Sequence, residues 1–122
     1  MRNLQIDWVV RRFFSGLDNN VPVYSTREEM LEVGNFNSAA IMVDSDNANN
    51  MQLEIETAVD AGQSIWSVLT NGSFTLGTRE ETKFVQPGDA IPMYRWLRYR
   101  VQRKTAGNPW SGSLTIRILL KR

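Results

Sequence analysis

The chain contains no cysteine and no histidine. Without cysteine, neither a disulfide nor a thiolate metal site can form. Without histidine, the commonest general base, the pH switch near neutrality and the usual zinc or copper ligand are all missing. Ser-His-Asp and Cys-His mechanisms are therefore excluded. Long apolar runs are also lacking, and nothing approaches the roughly 18–20 residues that a membrane-spanning helix needs. Neither G-x-x-x-x-G-K-[ST] nor G-x-G-x-x-G, the phosphate cradles, occurs. Fourteen Lys and Arg against thirteen Asp and Glu leave a net charge of +1, whereas a dedicated nucleic-acid binder carries a clear basic excess or patch. The opening "MRNLQIDWVVRRFF" has Asp7 and Arg11–Arg12 interrupting its apolar positions and no small-residue cleavage site. It does not read as a signal peptide, and cytoplasmic synthesis is expected.

What is present is enough for one domain. A chain of 122 residues with 42% apolar and 22% charged residues can bury roughly two-thirds of its unfolded surface. The first 34 residues differ from the rest. Leu4, Ile6, Trp8 and Val10 alternate with other residues as in a strand. The run Arg11, Arg12, Phe13, Phe14 then breaks the alternation. "SGLDNNVP" (15–22) reads as a loop, and "STREEMLEVGNF" (25–36) can begin as a short helix capped by Ser25 or Thr26 and ended by Gly34. Residues 1–34 are expected to form an extended, partly irregular arm, with the domain proper spanning 35–122.

From residue 37 onward a period of two is clearer. "SAAIMVD" (38–44) reads as a strand and "DSDNANN" (44–50) as a polar loop. In "MQLEIETAV" (51–59), Met51, Leu53, Ile55 and Thr57 share one side and Gln52, Glu54 and Glu56 the other. "SIWSVLT" (64–70), the dipeptide Asn71-Gly72 and "SFTLGT" (73–78) read as a hairpin, because both turn residues tolerate positive φ. "REETK" (79–83) is a charged lead into "FV", and "QPGD" (86–89) is a turn. "TAGNPWSG" (105–112) reads as a loop carrying Trp110. "SLTIRILLK" (113–121) closes the pattern with Leu114, Ile116, Ile118 and Leu120 on one face. Seven or eight short strands with turn signals every 8–12 residues predict an all-β, antiparallel β-sandwich with an N-terminal extended arm.

The stretch "YRWLRYRVQRK" (94–104) combines aromatics with arginines. Read as a strand, it puts Leu97, Tyr99 and Val101 on the core side and Trp96, Arg98, Arg100 and Gln102 outside. The apolar sides of 51–57, 97–101 and 114–120 would form one wall of the core. Glu54, Glu56, Arg98, Arg100 and Arg117 would lie on its outer face, neutralising each other across strands. Two other uses are weighed against this. Arg98, Arg100 and Arg103 could meet phosphates with Trp96 as a stacking platform, a reading that the net charge disfavours. Trp and Arg could instead anchor a protein interface.

Other candidates for chemistry are weaker. Asp44, Asp46 and Asn47 offer oxygen ligands for calcium, but the spacing lacks the Gly and distal Glu of an EF-hand, and an Asx-rich turn explains them. The neighbours Glu28–Glu29 and Glu80–Glu81 point apart on extended backbone, which does not suit paired-carboxylate catalysis. No enzyme activity, metal or cofactor is expected.

The order "MQLEIETAVDAGQSIWSVL", "NG", "YRWLRYRV" and "SLTIRILLKR" resembles small discoidin-like or jelly-roll sandwiches over residues 37–122. That resemblance implies either a decoration or minor structural subunit of a phage-like particle or a carbohydrate-binding module. The first predicts a non-enzymatic homo-oligomer, made in the cytoplasm and incorporated into a virion or similar particle, contacting itself and other structural proteins. Its interface would draw on Leu4, Ile6, Trp8, Phe13 and Phe14 of the arm, with Trp96, Arg98, Arg100 and Trp110. The alternative uses Trp110 and Trp96 to stack on sugar rings.

Overall fold

A computed structural model of the chain describes residues 5–17, 22–47, 51–74, 80–103 and 110–122. The strands are β1 (Gln5–Leu17), β2 (Val23–Tyr24), β3 (Leu31–Glu32), β4 (Ser38–Ser45), β5 (Met51–Ala58), β6 (Ser67–Phe74), β7 (Glu80–Val85), β8 (Trp96–Arg103) and β9 (Trp110–Lys121). They form two antiparallel sheets. One runs β1-β9-β4-β7; the other runs β2-β8-β5-β6, with β3 also pairing β8. The chain is thus an all-β sandwich, as the alternation predicts, and no described helix is long and apolar enough to cross a membrane.

The core lies between the sheets. Ile41 and Val43 of β4, and Leu114, Ile116, Ile118 and Leu120 of β9, are buried from one side. Met51, Leu53 and Ile55 of β5, and Leu97, Tyr99 and Val101 of β8, meet them from the other. β4, β8 and β9, and β5 as far as Ile55, alternate buried and less buried positions, the period of two that a pleated strand imposes. One part of the sequence reading is corrected here. The apolar sides of β5 and β8 share a wall, but β9 belongs to the opposite one, so Arg117 lies on a different outer face from Arg98 and Arg100. Alternation assigns a face to each residue but not a sheet to each strand.

Three further expectations change. The N-terminal segment is extended but does not leave the domain. β1 pairs with β9 from Gln5↔Lys121 to Leu17↔Trp110, with a register shift after Phe14 where Gly16 takes a φ of 66°. The short helix shrinks to a single 3-10 turn, Arg27–Glu29, entered at Thr26, whose N–H donates to Glu29 Oε1 at 3.0 Å. The expected hairpin at Asn71-Gly72 is not a turn: both residues lie within β6. Glu54 faces Ser73 and Glu56 faces Val68, so residues 69–72 bulge opposite Ile55. Gly72 is needed there for a close approach. A Cβ at that position would stand 2.6 Å from the Ile55 carbonyl oxygen.

Candidate interaction surface

The outer face of the five-stranded sheet is closed by its own side chains. Glu54 lies opposite Arg100 and Glu56 opposite Arg98 on neighbouring strands. Arg98 Nε donates to Glu56 Oε1 at 2.8 Å, and Arg100 donates to Glu54 Oε1 at 2.7 Å. The Arg98 guanidinium also lies 4.3 Å from the Tyr24 ring centre and 4.5 Å from that of Trp66, within cation–π range. This strand-by-strand neutralisation follows from the side-chain parity of "LRYRV". The stacking rings do not, because Tyr24 and Trp66 arrive from distant segments. Ring faces that would receive a sugar or a base are here in contact with a guanidinium of the same chain.

A second polar cluster bridges the sheets. Tyr99 points inward from β8, and its hydroxyl donates to Glu29 Oε1 at 2.7 Å. It accepts from Arg12 of β1, also at 2.7 Å, and Arg12 lies 3.5 Å from Glu29. Burial, reinforced by the hydrogen bond to the Glu29 carboxylate, pushes the phenol up to about 12. Burial would raise the Glu29 carboxyl as well. Hydrogen bonds from the Thr26 backbone, Tyr99 and the Thr26 side chain, with the charge of Arg12, outweigh it and hold the carboxyl below its ordinary value. Each group has its partners, so the cluster latches the 3-10 turn to both sheets.

The expected contact residues separate. Leu4 lies outside the described residues, as do the side chains of Ile6, Arg103 and Trp110. The backbone of Trp110 starts β9 and pairs with Leu17, so it is not in a loop. Phe14 is 4% exposed and belongs to the core, and Trp8, partly buried, packs against it. Phe13, of opposite parity on β1, is 66% exposed. Trp96 is half-buried on β8. Of the residues weighed for calcium, Asp44 lies on β4, Asp46 accepts from the Ser113 N–H at 2.7 Å, and Asn47 donates to the Ser111 carbonyl.

The outer face of the four-stranded sheet is different. Reading the registers across β1, β9, β4 and β7 gives three rows: Asp7–Leu119–Ala40–Phe84, Val9–Arg117–Met42–Thr82 and Arg11–Thr115–Asp44–Glu80. Val9 is 42% exposed and Phe84 59%. With Ala40, Met42 and Leu119 between them, they form an apolar band. Arg117 crosses it, its Nε donating to Asp7 Oδ1 at 3.0 Å, and this hydrogen bond holds the Asp7 carboxyl below its ordinary range. A shallow depression of about 360 Å³ lies beside Phe84, Ala40, Leu119 and Lys121. The sequence reading missed Phe84, Met42 and Val9. Their signal was parity: each is a bulky apolar residue at an outward position.

No family model matches the chain, and no curated protein sequence does. Solved structures share the fold at low identity. The SPBc2 prophage-derived protein YomS is 14% identical with a TM-score of 0.55, covering 96% of each chain. A protein of the Bacillus endospore appendages, described as a novel family of disulfide-linked pili, is 9% identical with a TM-score of 0.50 over 99% of this chain and 91% of that one. The Aeromonas hydrophila periplasmic g-type lysozyme inhibitor PliG is 11% identical with a TM-score of 0.51 over 95% and 86%.

Proposed function

We propose that this chain is a non-enzymatic structural subunit, a homo-oligomeric component of a phage or phage-like particle, and that it packs through the outer face of its four-stranded sheet. The observation that carries this reading is the apolar band of Val9, Met42, Leu119 and Phe84 on a face that the described residues leave uncovered. Contiguous exposed apolar surface marks interaction sites in folded proteins. Fold neighbours with a prophage origin and a pilus role support the same class. Disulfide linkage of the pilus kind is not open to this chain, which has no cysteine. Size-exclusion chromatography with light scattering tests the reading. The wild type should elute as an oligomer, and Phe84→Ser should shift it toward monomer without loss of β-sheet circular dichroism. A wild type that stays monomeric at high concentration would overturn it.

A further inference from the structure

We infer that the outer face of the four-stranded sheet receives the same face of a second copy, related by a two-fold axis that runs along the strands between β9 and β4. The inference rests on the homo-oligomer reading and adds the partner, the face and the symmetry.

Charge complementarity selects this arrangement. In the row Arg11–Thr115–Asp44–Glu80, the cation lies on the β1 edge and the carboxylates on the β7 side. A two-fold axis along the strands turns the second copy so that its β7 lies over β1 of the first. Arg11 then meets the second copy's Glu80, and the symmetry makes the contact twice, as an isologous interface requires. Leu119 meets Ala40 in the same way. Phe84 falls on the second copy's Asp7–Arg117 pair, where the guanidinium offers a cation to the ring. A two-fold axis across the strands also gives Arg11 an acidic partner, the second copy's Asp7, but it sets Arg117 against the second copy's Arg117, Phe84 against its Glu80 and Ala40 against its Asp44, bringing like charges together and burying carboxylates on apolar groups.

The area reaches the lower bound. Strands about 4.8 Å apart rising about 3.3 Å per residue give this face roughly 500 Å² per copy before side-chain relief is added. Two copies together cover about 1,000 Å², the threshold for a specific interface, to which side-chain relief adds.

A charge swap tests the geometry. Sedimentation equilibrium of the wild type, Arg11→Glu, Glu80→Arg and the double variant gives four dissociation constants. Each single reversal places two like-charge pairs in the interface and should raise the constant about tenfold or more. The double variant should return it to within about threefold of wild type, which also shows that the substitutions leave the fold intact. An oligomer indifferent to the single reversals, or one that the double variant fails to recover, overturns this two-fold arrangement and leaves the assembly reading standing. A monomeric wild type overturns both, and the apolar band then serves a different occupant.

Discussion

The hydroxyl of Tyr99 accepts a hydrogen bond from Arg12 and donates one to Glu29, so replacing it removes a partner from two charged groups at once. Tyr99→Phe is expected to cost about 1–3 kcal/mol, read from urea denaturation. The pH dependence has a definite sign. A phenol raised to about 12 in the folded chain contributes stability that is complete below its ordinary value of 10. That stability is lost as pH rises toward 12, at up to about 1.4 kcal/mol per pH unit, because the unfolded chain releases the proton first. The wild-type melting temperature should therefore fall across this window more steeply than that of Tyr99→Phe, and the difference between their ultraviolet titrations should show one phenol ionising near 12. Glu29, lowered in the fold, acts on the other side: its contribution is present above the ordinary carboxylate range and fades as the solution is acidified. Gly72 carries a steric prediction. A methyl group driven toward the Ile55 carbonyl and Leu69 should cost about 1–3 kcal/mol in Gly72→Ala, measured by calorimetry.

At the level of single strands, β8 depends on its cross-strand partners. Glu56 is 7% exposed and has its cation in Arg98. Arg98→Ala should cost about 3 kcal/mol, because removing one partner leaves a covered charge uncompensated. Arg98→Lys should recover only part of this, since an ammonium lacks the flat plane that lies over Tyr24 and Trp66. Chemical denaturation of both variants checks the order. Strands β4, β5, β8 and β9 could be read in the sequence because each has one apolar side against a single core, and the pairs Glu54–Arg100 and Glu56–Arg98 followed from that parity. β7 could not. Glu80, Thr82 and Phe84 share one side and Glu81, Lys83 and Val85 the other, so neither side of this edge strand is uniformly apolar. Asn71-Gly72 misled for another reason. Glycine serves a tight turn and a close backbone approach equally well, and only the position of Ile55 tells them apart.

For the molecule as a whole, the placement of β1 matters most. An arm lying on a neighbour could be removed without harm to its own domain, whereas β1 covers one edge of β9 and contributes Phe14 to the core. Deleting residues 1–17 is expected to yield an insoluble or unfolded chain, seen as loss of the cooperative melt, while Phe13→Ser leaves the melt within about 0.5 kcal/mol of wild type. The sequence carried the strand signal of β1 but not its destination, because pairing with β9 joins opposite ends of the described chain. That same pairing orders events during synthesis. β1 is translated before the other described strands and its partner β9 after them, so its apolar side waits in the open while the intervening strands are added. Nascent chains of this protein are then most exposed to premature association in the interval before β9 emerges, when a single missing strand separates an open sheet from a closed one.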